Sequence, residues 1–300
     1  MLRRILCVAL LLTVQGVSAQ GSEYFRAAYG ELLPGSSDRV GLWWTSSGWK
    51  IGRDKTLPEA ESWAVEIRAA RNEAEAAQLV VRPTIALKGF LAYAGTLRGP
   101  GAASIPAQNI DVLEVRYVKV ELPTDKSSVA GLWPDPLPPF KDGIDLEANK
   151  NQPLWVRVKV PRDATAGIYT GRITLKAQNY RADVALRVEV YDFDLPDKMT
   201  CTTAFGFSPG NVFKYHKLST DSQKRQVLEK YWANLAAHHI SPYNPAPLDD
   251  LDVTWPEITD STRPWEIKPT FDWTNWDAAM ARAIDHHNFN SFRLSIPGMG

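Results

Sequence analysis

Residues 154–160 read LWVRVKV. Val156, Val158 and Val160 alternate with Trp155, Arg157 and Lys159, and a period of two sends the two sets to opposite faces of an extended chain. The run predicts a half-buried antiparallel strand with one dry face and one wet face. Residues 184–190, VALRVEV, repeat the pattern with Arg187 and Glu189 outward. Between them, DATAGIYTGRITL (163–175) supplies a turn at Ala166 and Gly167 and then another strand.

The same grammar extends upstream to about residue 40. In DVLEVRYVKVEL (111–122) the inward set is Leu113, Val115 and Tyr117, then Val118, Val120 and Leu122. The phase slips between Tyr117 and Val118, as a bulge or a strand crossing between two sheets requires. Many short strands without a helical pattern predict an all-β sandwich over residues 20–195.

Past the Pro-containing junction YDFDLPDKM (191–199) the pattern changes. Thr220 followed by Gln223 is a capping box opening a helix, with Leu228, Tyr231, Trp232 and Leu235 at helical spacing. A second helix opens at Thr274 and carries Trp276, Ala279, Met280 and Ala283 on one stripe. Each helix ends in a histidine pair (238–239, 286–287) and runs at once into a strand candidate, ISPYN or FNSFRLSI. With CTTAFGF (201–207) upstream, the alternation predicts successive βα units of a parallel sheet. Residues 196–300 therefore read as the incomplete start of a (β/α)8 TIM-type barrel. A whole barrel takes roughly 200 residues or more, so the sequence reads as truncated.

Arg3 and Arg4, the apolar run ILCVALLLTV and the small-residue stretch GVSA predict a signal peptide over residues 1–19. No later segment is apolar enough to span a bilayer. The expectation is an exported protein, periplasmic or extracellular, without a membrane span. Lys plus Arg and Asp plus Glu balance at 34 each, which leaves no basic field for nucleic acid. After cleavage only Cys201 remains, so no intrachain disulfide or cysteine metal site is expected. Adjacent histidines diverge by about 100° on a helix, so both pairs read as helix C-terminal residues and no metal site is assigned. No G-x-S-x-G elbow, P-loop or G-x-G-x-x-G is present, and no cofactor is expected.

Two places invite chemistry. Glu73 and Glu75, in ARNEAEAAQLVVRP (70–83), would share one face of a strand. Side by side they do not flank a bond, as a glycosidase pair must. The long connection 245–273 leaves from the C-terminal end of a strand, where barrel enzymes place their active sites. It carries Trp255, Trp265, Phe271 and Trp273 among Asp249, Asp250, Asp252, Glu257, Asp260 and Glu266. Flat aromatic faces beside carboxylates suit a sugar, with its C–H faces and hydroxyl edges. Tyr243, Asn244, Phe207 and Trp255 are the candidate substrate-binding residues, with Gly298 at a comparable strand end.

Several stretches together resemble a known family: GLWWTSSGWKIGRDKTLP (41–58), ARNEAEAAQLVVRP, GLWPDPLPPF (131–140) and QPLWVRVKVPRDATAGIYTGRITL (152–175). They are similar to the N-terminal module of bacterial secreted glycoside-hydrolase-like proteins related to glycoside hydrolase family 123, the β-N-acetylgalactosaminidases. The resemblance continues more loosely through LAAHHISPYNP (235–245) to FRLSIPGMG (292–300). It implies a sandwich ahead of a catalytic barrel, and retaining hydrolysis assisted by the substrate's own acetamido group. It also implies an adjacent Asp-Glu pair that divides the work: Asp orients the acetamido nucleophile, and Glu acts as acid and then base. No Asp-Glu dipeptide occurs in the 300 residues, so no catalytic residue is assigned and the acids are expected beyond residue 300. Glu73 and Glu75 fall in the accessory module. The expected partner is a carbohydrate substrate; the alternative is a non-catalytic carbohydrate-binding or surface scaffold protein.

Overall fold

The computed structural model describes residues 27–125, 128–140, 142–259 and 262–298. The signal peptide expected at 1–19 lies outside the described residues. The chain divides into two compact units at Leu195/Pro196.

The first unit is built from strands in two main sheets and a separate two-stranded ribbon. In chain order they are β1 (Glu31–Leu32), β2 (Val40–Ser46), β3 (Val65–Arg71), β4 (Ala74–Pro83), β5 (Leu87–Ala94), β6 (Leu97–Arg98) and β7 (Ser104–Ile105). There follow β8 (Ile110–Glu114), β9 (Tyr117–Val120), β10 (Gly131–Pro134), β11 (Ile144–Leu146), β12 (Gln152–Lys159), β13 (Gly167–Ala177) and β14 (Tyr180–Asp194). One sheet runs β1-β2-β4-β12-β8; the other runs β11-β5-β13-β14-β3, with β6 and β7 beside β13. All pairs are antiparallel except β14 with β3. Facing side chains from both sheets close one core, in which Leu42, Ile67, Leu79, Phe90, Leu154 and Leu186 are buried. Each such side chain contributes about 1.5–3 kcal/mol by leaving water. The alternation read at 154–160 and 184–190 is realised: Val156, Val158, Val188 and Val190 are buried and Arg157 and Lys159 are exposed.

The strand read at 111–122 differs. Val112 stands opposite Val156 and joins the core, so the inward parity is that of Ile110 and Val112, not of Leu113. The chain leaves the sheet at Val115 and Arg116 and pairs separately, β9 with β10, so Val118 and Leu122 are exposed. The change of phase marks a departure into a side ribbon rather than a crossing to the second sheet.

The crossing lies instead at 70–75. β3 belongs to one sheet and β4 to the other, and Asn72 turns the corner at φ 62°. The Glu73 carboxylate accepts the Ala70 N–H at 2.6 Å, its carbonyl accepts Val160 N–H at 2.8 Å, and Asn72 Nδ2 donates to Leu195 O at 2.9 Å. Glu75 stands opposite Val158 and accepts the Ala76 N–H at 2.9 Å. Glu73 holds the corner, and Glu75 lies within β4.

The second unit has three α-helices, α1 (Pro209–Tyr215), α2 (Asp221–Ala237) and α3 (Thr274–Ala281), among the described residues. α1 was not expected from the sequence; Pro209 occupies its first turn, where a missing N–H costs nothing. The capping box at Thr220 and Gln223 is formed. Leu228 and Trp232 of α2 pack with Phe289 and Ala283, and Trp276 with Met280 and Ala246.

The expected strands at 201–207, 240–244 and 289–296 reduce to a single parallel bridge, Phe205 with Pro242. Phe205 N–H donates to Ser241 O at 2.9 Å, Tyr243 N–H to Phe205 O at 3.0 Å and Arg293 N–H to Tyr243 O at 2.6 Å. Elsewhere side chains take the places of ladder groups. Ser241 N–H donates to Thr203 Oγ1 at 2.8 Å and Asn290 N–H to Ser241 Oγ at 3.0 Å, while Pro242 has no N–H to give. No barrel sheet is formed among the described residues.

Candidate functional site

Tyr243 bonds to both flanking segments, its N–H donating to Phe205 O and its carbonyl accepting the Arg293 N–H, and Asn244 Oδ1 accepts the Ala246 N–H at 3.2 Å. With Asp250, Trp276, Arg293 and Ser295 these two residues line a cavity of about 110 Å³. Arg293 Nε donates to Ser295 Oγ at 3.0 Å, and its guanidinium lies 5.9 Å from the Tyr243 ring centroid. The cavity therefore offers a cation, a carboxylate, an amide and a hydroxyl against aromatic walls. Its size suits one polar substituent or hydroxyl edge of a larger ligand.

The connection 245–273 is not featureless. β15 (Asp252–Thr254) pairs with β16 (Thr270–Asp272), and Pro264–Glu266 is a short 3-10 turn. Trp265 is 69% exposed with Arg263 5.5 Å from its ring, and Phe271 and Trp273, also exposed, lie 6.1 Å apart with their planes 32° from parallel. These faces are open to solvent. Trp255 is half-buried and its Nε1 donates to Pro297 O at 2.9 Å. Gly298 sits beside it at φ 82°, where a Cβ would stand 2.5 Å from Trp255 Nε1.

Of the four residues singled out from sequence, the structure brings Tyr243 and Asn244 into one cavity. Phe207 turns toward α2 instead, 4.8 Å from Trp232 and 5.5 Å from Tyr231. Trp255 stands with residues 297–298. Neither Arg293 nor Ser295 was singled out from sequence, where FNSFRLSI read only as a strand candidate. It placed Trp276 on the core stripe, where it does bury, but one edge also lines the cavity.

A second cluster lies at the end of α3. After α3 the helix widens into a π turn, Arg282–His286, with His287 as its cap. Neighbours still diverge on such a turn, but the rings of His286 and His287 meet edge to face, 4.7 Å apart. Both face Glu229 of α2: His287 Nε2 is 3.3 Å and His286 Nε2 3.8 Å from its Oε1. Arg282 holds the other carboxylate oxygen at 2.8 Å. His287 is 4% exposed and stacked on Phe289, and its Nε2 makes no hydrogen bond of good geometry. Burial lowers the His287 pKa, against the opposing pull of the Glu229 charge. Glu229 and His287 line a cavity of about 460 Å³.

Residues 44–177 match the glycoside hydrolase 123 N-terminal domain. A family 123 glycoside hydrolase from Clostridium perfringens, solved for the details of glycolipid glycan hydrolysis, superposes on 84% of this chain with a TM-score of 0.60. The chain is similar to glycoside hydrolase family 123. That structure is 15% identical, which shows the fold alone, and the chain spans about half of its length, 46%. The CooA pilin subunit from enterotoxigenic Escherichia coli is 16% identical over 52% of this chain and 99% of its own, with a TM-score of 0.27. The GspB Siglec domain is 13% identical over 71% of this chain and 81% of its own, with a TM-score of 0.26. No curated protein matches. The family 123 likeness marks a glycoside hydrolase-like protein, and its N-terminal domain match lies within the sandwich. Among the described residues no helix is long and apolar enough to cross a membrane.

Proposed function

We propose that the chain is the sandwich and the first βα units of an exported glycoside hydrolase that cleaves O-glycosyl bonds of N-acetylhexosaminides. The match of residues 44–177 to the glycoside hydrolase 123 N-terminal domain carries this reading. The second unit supports it with three hydrogen-bonded segments, the first two joined by a parallel bridge and each followed by helix, and a polar, aromatic-walled cavity at Tyr243 and Asn244.

In this reading Tyr243, Asn244, Asp250 and Arg293 bind and orient one edge of the sugar, and the exposed Trp265, Phe271 and Trp273 offer flat faces to neighbouring residues of a glycan. Hydrolysis is substrate-assisted: the acetamido oxygen attacks the anomeric carbon as an acid protonates the leaving oxygen, and water then opens the oxazolinium ion with retention. The orienting Asp and the acid/base Glu are assigned to residues outside the 300, since no Asp-Glu dipeptide occurs within them.

An assay of the 300-residue chain with aryl N-acetyl-β-galactosaminide and N-acetyl-β-glucosaminide tests the placement of the acids. The expected result is no release above the uncatalysed rate. Turnover by this chain, abolished by substituting a carboxylate within it, would overturn that placement.

A further inference from the structure

We propose that Glu229, His286 and His287 form a binding site for a divalent transition metal ion, with Zn²⁺ the best fit. The two imidazole Nε2 atoms and a carboxylate oxygen lie within 4.8 Å of one another. Bonds of about 2.0–2.2 Å to a common ion need ligand atoms a little over 3 Å apart, which side-chain rotation alone supplies. The Glu229 to His287 separation, 3.3 Å, already meets this.

His287 points to a ligand independently of the spacing. Its Nε2 is buried, makes no hydrogen bond of good geometry and stands 3.3 Å from Glu229 Oε1, and such an atom in a folded protein calls for an explanation. A bound cation supplies one, because the neutral imidazole presents a lone pair there.

Two nitrogens and one oxygen select the ion. Magnesium and calcium take oxygen shells, whereas imidazole suits zinc, copper and nickel. Two His and one Glu is also a set that leaves a fourth position to water, and the cavity of about 460 Å³ beside Glu229 and His287 gives water access. The surroundings hold the ligands in place. Arg282 binds the far oxygen of Glu229 at 2.8 Å and leaves Oε1 free, and Phe289 stacks on His287. The Arg282 charge opposes the cation, which places the affinity below that of a site without it. This inference does not rest on the sugar reading.

The test is Zn²⁺ binding to the untagged 300-residue chain, stripped with a chelator, by competition with a chromophoric zinc indicator. The expected result is one equivalent bound, with Glu229→Gln and His286→Ala each weakening it at least about tenfold while helical circular dichroism is unchanged. Both positions are partly or largely exposed, so these variants fold even where His287→Ala does not. Zn²⁺ should raise the unfolding temperature of the parent and of a His238→Ala control, and not of the two ligand variants. No binding by the folded chain, or binding unaltered in both ligand variants, would overturn the site.

Discussion

Arg293 and Tyr243 meet twice: the Arg293 N–H donates to the Tyr243 carbonyl at 2.6 Å, and the guanidinium stands 5.9 Å from the phenol ring. The backbone contact aligns two segments that are 50 residues apart in sequence, and the side-chain contact builds a wall of the small cavity between them. Position and chemistry of the candidate site thus come from one pair.

The side-chain contact is exposed, so its removal weakens the unit only slightly. Arg293→Ala should cost about 0.5–1 kcal/mol, read as a shift in the urea midpoint. A loss several times larger would show that Arg293 is a structural clamp rather than a cavity wall.

The two faces of β12 should respond in opposite ways. Leu154 is fully buried, and Leu154→Ala should cost about 2–5 kcal/mol through lost burial and a cavity. Arg157, on the other face, binds Asp111 through Nη2 and Nε at 2.7 and 3.0 Å in an exposed pair, and Arg157→Ala should cost no more than about 1 kcal/mol. Chemical denaturation of both variants checks the contrast.

This contrast was legible before any coordinates, because period-two alternation is local and β12 has a neighbour on each side. The same reading gave the wrong parity at Leu113. There the strand is an edge, and Val115 and Arg116 lead out into a ribbon that nothing nearby in sequence announces. Tyr243 and Asn244 were legible as the end of a segment, while Arg293 reached the same cavity through long-range pairing. The cluster at Glu229 was hidden for another reason: Glu229 lies on α2, far from the histidine pair in sequence, and meets it only through long-range packing.

Thr220 caps α2 by accepting the Gln223 N–H on Oγ1 at 3.3 Å, while Gln223 Oε1 accepts the Thr220 N–H at 3.2 Å. Thr220→Ala should cost about 1 kcal/mol and Thr220→Ser a few tenths at most. Thermal unfolding followed at a helical wavelength distinguishes them, and equal losses would show that the cap is not the stabilising contact.

The Tyr180 hydroxyl is buried without a hydrogen bond among the described residues, and burial pushes its pKa up to about 12. Tyr180→Phe removes a desolvated group that has no compensation. It should leave stability unchanged or raise it by up to about 1 kcal/mol. A clear loss in a denaturation curve would contradict this.

Asp183 is held below the ordinary carboxylate value of 3.8 by the Thr174 hydroxyl and, less strongly, by Arg172. The Asp145 carboxyl is lowered by hydrogen bonds from Lys88 and the Gly89 N–H. Because both folded values lie below the unfolded ones, their stabilisation is complete above the unfolded value and fades as pH falls through the folded one. The urea midpoint should therefore fall between pH 6 and pH 3, less steeply in Asp183→Asn. An unchanged slope in that variant would remove Asp183 from the account.

The most direct test of the sugar-handling claim is a titration of the 300-residue chain with N-acetylgalactosamine and N-acetylglucosamine oligosaccharides, followed by nuclear magnetic resonance of the indole and arginine side-chain signals. The account predicts saturable shifts at Trp276 and Arg293 that Tyr243→Ala and Arg293→Ala weaken severalfold. Absence of binding, or binding that both variants leave intact, would contradict it.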